Sequence, residues 1–121
     1  MDFWPAYLLR RAEIGALLDP RCYTLEWLDG QVWCGRIKVW HSDDALILAE
    51  VRTFPAGARE IHGMMAVGEL GGIVGLIEHA EQWAASEGIE FATIASRPGW
   101  ARVLKSRGYE TYQTDVRKEL S

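Results

Sequence analysis

The chain has 121 residues, 49% of them hydrophobic and 25% charged, the size and composition of one ordinary folded domain rather than a disordered tail. Its net charge of −4 argues against general nucleic-acid binding, and no apolar run approaches the ~18 residues of a membrane span. The charge is uneven: residues 97–121 carry six cations against three acids, a net +3, which leaves −7 on the rest and keeps a local anion site near the C-terminus open.

The opening "MDFWPAYLLRR" has an acid where a secretory leader carries basic residues, and no long apolar stretch, so a soluble, cytoplasmic protein is expected. Pro5 suits the first turn of a helix, and Leu8, Leu9, Ala12, Ala16 and Leu17 follow at helical spacing up to Asp19-Pro20. Residues 1–19 therefore read as an N-terminal helix segment, its helix running from Ala6 to Leu18 with Phe3 and Trp4 ahead of it. Leu8, Leu9, Ile14, Leu17 and Leu18 occupy more than one stripe, so one stripe is expected on the sheet. The other, with Phe3, Trp4, Leu9 and Ile14, is expected to meet another chain in a homo-oligomer or a complex with a protein partner.

Residues 22–67 read as antiparallel strands. "CYTLEWLDGQVWCGRIKVW" places two β-rich runs around Asp29-Gly30, a short-hairpin signal. "ALILAEVRTF" and "REIHGMMAV" follow as further strands, with Gly63 interrupting the last. Cys22 and Cys34 have no CxxC spacing and read as two semi-buried thiols; His41, His62 and His79 are scattered, and no metal site emerges.

The period changes after "GELGGIVG", residues 68–75. Leu70, Ile73, Val74, Ile77, Ala80 and Ala84 recur at three- and four-residue steps, an amphipathic helix ended by Gly88. "IEFATIA" is a short strand, "PGWARVLKSR" a helix closed by Gly108, and "YETYQTDVRKEL" a final strand. One domain of mixed α/β (α+β) type results, an antiparallel meander followed by a crossover helix and a parallel strand.

Two segments carry a resemblance. "GLIEHAEQWAASEGIEF" and "RPGWARVLKSRGYE" resemble the central helix–strand and the later helix of the GNAT superfamily, the acetyl-CoA-dependent N-acetyltransferases, in a shortened version lacking the usual first strand. The resemblance implies a coenzyme loop of Arg or Gln, two variable residues, Gly, one variable residue, and Gly or Ala, whose backbone N–H groups hold pyrophosphate at a helix N-terminus. Without gaps that motif falls on Gly68, Glu69, Leu70, Gly71, Gly72 and Ile73, so Gly68, Gly71 and Gly72 are the coenzyme-binding candidates. Gly71 matches, but Gly68 replaces the basic or amide residue, Ile73 replaces the small one, and Glu69 repels a dianion. Changing Glu69→Gln with Gly68→Arg is expected to strengthen whatever weak binding remains. The family tyrosine that protonates the departing thiolate falls on Leu104, and the preceding Asn on Pro98.

No catalytic residue is therefore assigned. Glu50, Glu60 and His62 stand where a general base would be sought, Tyr109 and Tyr112 are alternative acids, and Arg97, Arg102, Lys105 and Arg107 form a basic group able to meet a phosphate. Small proteins of this kind resemble those of tailed phages, including a podophage family linked to internal virion assembly. The resemblance leaves three functions open: a scaffold with a degraded acetyl-CoA site that binds phage or other proteins, an acetyltransferase with an atypical loop, or an inhibitor of a host protein. The expected location is the bacterial cytoplasm or the virion.

Overall fold

The computed structural model describes residues 2–96 and 98–120. Its elements run α1 (Phe3–Leu17), α2 (Leu25–Trp33), β1 (Ile37–His41), β2 (Ala45–Thr53), β3 (Arg59–Gly68), α3 (Leu70–Ser86), β4 (Phe91–Ile94) and α4 (Pro98–Lys105). The sheet has the order β1-β2-β3-β4; the first three strands are antiparallel, and β4 lies parallel to β3 through the α3 crossover. The mixed α/β class is as the sequence leads one to expect.

Both faces of the sheet are covered, which explains why β2 opens on the unbroken buried run Ala45–Ala49 rather than an alternating pattern. Ala45, Ile47 and Ala49 pack under Ile73, Leu76, Ala80 and Ala84 of α3. Leu46 and Leu48 face the opposite way, against Tyr7 and Ile14 of α1 and Leu28 and Val32 of α2. Tyr7 and Ile14 are seven residues apart, two helical turns on one face.

Residues 25–33 form a helix, not the first arm of a hairpin. Thr24 accepts the Trp27 N–H at 3.1 Å as N-cap, and Glu26 sits favourably in the first turn. The Asp29-Gly30 pair is overridden because Asp29 has tertiary partners. Tyr7 donates its hydroxyl to Asp29 at 2.7 Å, and Arg11 donates to both carboxylate oxygens, at 2.9 and 2.8 Å for the closest contact to each. Leu25, Leu28 and Val32 then fall at helical spacing against α1 and the sheet.

Two further expectations are corrected. Residues 109–120 form neither strand nor helix, because a strand exists only through a ladder partner and none lies beside them among the described residues. Cys22 and Cys34 are both exposed rather than semi-buried. Among the described residues no helix is long and apolar enough to cross a membrane.

Candidate functional site

The place to look for chemistry is set by the pairing of β3. This strand is ten residues long, but β4 pairs only with its first half, from Glu60↔Phe91 to Gly63↔Ile94. The Ala95 N–H still reaches the Gly63 carbonyl at 3.3 Å, and the two chains then part. At the same level β3 bulges: Leu48 pairs with Met65 and Ala49 with Gly63, so Met64 is the extra residue. The bulge and the parting open a wedge along Met64–Gly68, whose backbone on that side has no strand partner among the described residues, and the N-terminus of α3 stands at its upper end.

At that upper end the connection from β3 to α3 is one residue long. β3 ends at Gly68, Glu69 is the N-cap in extended conformation, and α3 starts at Leu70. Two of the glycines there have a packing cause. Gly68 adopts φ +110°, and a Cβ there would lie 2.1 Å from the Asp44 carbonyl oxygen and 2.6 Å from Ala45 Cα. The Glu69 N–H donates to that same Asp44 carbonyl at 2.9 Å, which fastens the turn to the start of β2. A Cβ on Gly72 would lie 2.3 Å from Asp44 Oδ1, so the Asp44 carboxylate, held by the Ser42 hydroxyl at 2.9 Å, rests against the first turn of α3. Of the three candidate glycines, only Gly71 faces open space.

Two carboxylates, Asp44 and Glu69, thus stand at the end of α3 that would attract an anion. Ile73 does not obstruct the wedge, as its place in the motif leads one to expect; it is buried in the core under β2. Arg or any other side chain at Gly68 is excluded by the left-handed φ and the backbone of β2. The paired change Glu69→Gln with Gly68→Arg therefore cannot be accommodated.

Below the wedge, where β3 and β4 are paired, the structure brings together residues that are distant in sequence. Register sets Glu50 beside His62, Arg52 beside Glu60, and His62 beside Thr93. Arg52 binds Glu50 at 2.9 Å and Glu60 at 3.5 Å, and Glu60 is 3% exposed. His62 Nδ1 lies 2.8 Å from Thr93 Oγ1. Burial pushes the His62 pKa below its ordinary value, and the nearby Arg52 charge adds to this, against the pull of Glu60 and Glu50. Burial and Arg52 thus favour the neutral imidazole, the form able to accept a proton. Arg52 and Thr93 belong to no motif in the sequence; the β-strand register is the only signal that joins them to His62.

The remaining candidates disperse. Leu104 is buried, with no group to transfer a proton. Tyr109 donates its hydroxyl to Glu81 and is half-buried, and this burial, followed by the Glu81 hydrogen bond, pushes its pKa well above the usual phenol range, away from an acid's role. Tyr112 is exposed. Of the basic group, Arg107 is taken by Glu78, Arg102 and Lys105 lie in the exposed last turn of α4, and Arg97 lies outside the described residues. Of the four expected interface residues, Ile14 is fully buried, so it belongs to the core. Phe3 and Trp4 are inside α1 rather than ahead of it and are partly buried against the same cluster, Trp4 stacking on Tyr7 and meeting Trp33 edge-on. Leu9 alone of the four stands free, at 85% exposure.

A parallel strand pair that stops pairing at a bulge, joined by a crossover helix, belongs to a fold shared with solved structures. A predicted acetyltransferase from Clostridium acetobutylicum, solved with acetyl-CoA, superposes at a TM-score of 0.69 over 98% of this chain and 90% of its own, at 12% identity. An acetyltransferase from Trypanosoma brucei gives 0.64 over 79% and 78%, at 14% identity. A ribosomal-protein-alanine N-acetyltransferase from Brucella melitensis biovar Abortus gives 0.60 over 93% and 95%, at 12% identity. The fold is the GNAT acetyltransferase fold. No protein-family model matches the chain, and no curated protein matches it in sequence.

Proposed function

We propose that this chain is a GNAT-fold protein-binding module that does not hold acetyl-CoA tightly. The observation that carries the reading is the single-residue turn from Gly68 to Leu70, fastened to β2 and flanked by Asp44 and Glu69. A pyrophosphate needs backbone N–H groups it can approach and a positive end to the helix. Here the turn is one residue long, and the Asp44 and Glu69 carboxylates stand near the N-terminus of α3, where a negative charge is worth about 0.3–1 kcal/mol.

The outer surface supports a binding role. Trp27 and Trp33 of α2 and Leu8, Leu9 and Leu17 of α1 are all exposed, and large aromatic side chains of this type anchor protein interfaces. The partner we propose is a virion component or a host enzyme, in the bacterial cytoplasm or the virion. A ligand bound in the low micromolar range would raise stability by about 3–4 kcal/mol at a several-hundred-fold excess. Millimolar acetyl-CoA is expected to leave the melting temperature unchanged, and a rise of several degrees would overturn the reading.

A second reading rests on the cluster below the wedge. A neutral His62 between Thr93, Glu50 and Glu60 is equipped to take a proton from an amine, as an N-acetyltransferase with weak coenzyme affinity requires. Turnover at millimolar acetyl-CoA that disappears in His62→Gln would favour this reading over the first.

A further inference from the structure

We propose that the outer edge of β1 pairs with its equivalent in a second copy of the chain. The two Ile37–His41 strands join antiparallel about Val39 and make one continuous sheet.

β1 stands at the end of the sheet, bonded to β2 on one side and to no strand on the other among the described residues. The turn that ends it shows which of its backbone groups point outward. The Ser42 N–H donates to the Ala45 carbonyl at 2.9 Å, so these two residues form a hydrogen-bonded pair. Bonded and non-bonded pairs alternate along an antiparallel ladder. Trp40 and Lys38 therefore bond to Ile47 and Ala49, whereas Ile37, Val39 and His41 turn their N–H and carbonyl groups to the outside. The Glu69 N–H bond to the Asp44 carbonyl sets the matching alternation across β2, with Leu46 and Leu48 bonding towards β3.

An edge of this kind is a template for another strand, and neither a proline nor a bulge blunts it. Lys38, a residue type that often guards such an edge, is folded back onto its own chain. Its ammonium lies 5.7 Å from the centre of the Trp83 ring and donates to the Gly35 carbonyl at 3.0 Å.

The occupant is a second copy because this stretch is complementary to itself. Pairing about Val39 sets Ile37 opposite the partner's His41 and gives every outward N–H and carbonyl a bond. Lys38 falls opposite the partner's Trp40, an aromatic face rather than a like charge. Arg36 falls opposite the partner's Ser42, next to the partner's Asp43. Arg36 and Asp43 are exposed, and neither side chain has a hydrogen bond or ion pair among the described residues. The cationic end of each strand thus meets the acidic end of the other. An in-register parallel pair would instead set Arg36 beside the partner's Arg36 and Lys38 beside the partner's Lys38. The two-fold axis through the Val39 pair closes the assembly at two copies. A ladder this short buries less than the about 1,200 Å² of a standard interface, so the dimer is weak and reversible. The inference goes beyond the binding-module reading and does not depend on whether coenzyme binds.

Amide exchange read residue by residue by NMR, with sedimentation velocity on the same samples, tests it. Raising the concentration of the full chain into the millimolar range is expected to shift the mass from 13.6 kDa towards twice that value. The Ile37, Val39 and His41 amides, fast in the monomer, slow together as the dimer forms, while those of Lys38 and Trp40 are slow throughout. His41→Pro removes an outward N–H at an exposed position and leaves the bonds to β2 in place. Its monomer therefore keeps the wild-type circular dichroism and melting, and dimerisation weakens roughly tenfold. Arg36→Glu and Asp43→Arg each weaken the dimer, and the two changes together restore it. A chain that stays monomeric at millimolar concentration overturns the proposal. So does a dimer in which the Ile37, Val39 and His41 amides exchange as fast as in the monomer. A dimer indifferent to His41→Pro but broken by Leu9→Glu assigns the contact to α1 and equally overturns it.

Discussion

The glycines before and after Glu69 make opposite predictions depending on why they are there. Gly68→Ala adds a methyl group 2.1 Å from the Asp44 carbonyl oxygen, on a backbone at φ +110°. The conformational strain costs about 1–3 kcal/mol. Relieving the overlap by shifting β2 backbone costs about 1–3 kcal/mol more. A loss of about 2–6 kcal/mol is expected, a large share of the ~5–15 kcal/mol that holds an ordinary domain together. Gly71→Ala meets open space inside a helix and is expected to stabilise by about 0.5–1 kcal/mol through helix propensity. Gly72→Ala falls between, because the Asp44 carboxylate can swing aside at the expense of its Ser42 hydrogen bond. Urea unfolding followed by circular dichroism measures all three. The packing account fails if Gly68→Ala costs less than about 1 kcal/mol. It fails equally if Gly71, the glycine that matches the coenzyme motif, proves more sensitive than Gly68.

Other substitutions check the remaining links. Gly30→Ala is expected to stabilise by about 0.5–1 kcal/mol, since Gly30 lies in mid-helix with nothing near its absent Cβ; a hairpin turn there would instead be damaged. Thr24→Ala should cost about 1 kcal/mol in the same assay by removing the α2 cap. Asp29→Ala leaves the buried Tyr7 hydroxyl without its acceptor and is expected to cost about 1–3 kcal/mol. The Arg11 hydrogen bonds hold the folded Asp29 pKa below its ordinary value, with Tyr7 assisting, so its contribution is complete above the unfolded value near ~4 and is lost as pH falls through the folded one. The stability gap between wild type and Asp29→Asn, measured against pH, should therefore shrink on acidification. The His62 ring, followed by NMR, is expected to titrate below ~6.5, and a raised midpoint would show that burial beside Arg52 does not govern it.

The central helix, β2, β3 and the crossover to β4 are legible in the sequence because period and burial agree there: Ile73, Ala80 and Ala84 lie on one face of α3, under Ala45 and Ile47 of β2. Leu25–Trp33 is not, because Asp29-Gly30 is a local hairpin signal, and only the tertiary bonds from Tyr7 and Arg11 show why Asp29 sits in a helix. Ile14 reads as an interface residue because composition places apolar stripes on a helix without saying which of them is covered; the arrival of α2 beside α1 decides it. Residues 109–120 do have a strand's alternation, but a pattern records what a segment can pair with and not whether a partner is at hand. At the site, the mismatches at Gly68 and Glu69 are visible in the sequence, whereas the shortness of the turn, the contact with Asp44 and the grouping of Arg52 and Thr93 with His62 depend on strand register.

The central claim is that the α3 turn does not receive a coenzyme pyrophosphate. Isothermal titration of the intact protein with acetyl-CoA, carried into the millimolar range, tests it most directly. No saturable heat is expected, because the Glu69 and Asp44 carboxylates stand near that end of the helix and Gly68 is packed on β2. A one-to-one isotherm with a dissociation constant in the low micromolar range would contradict it.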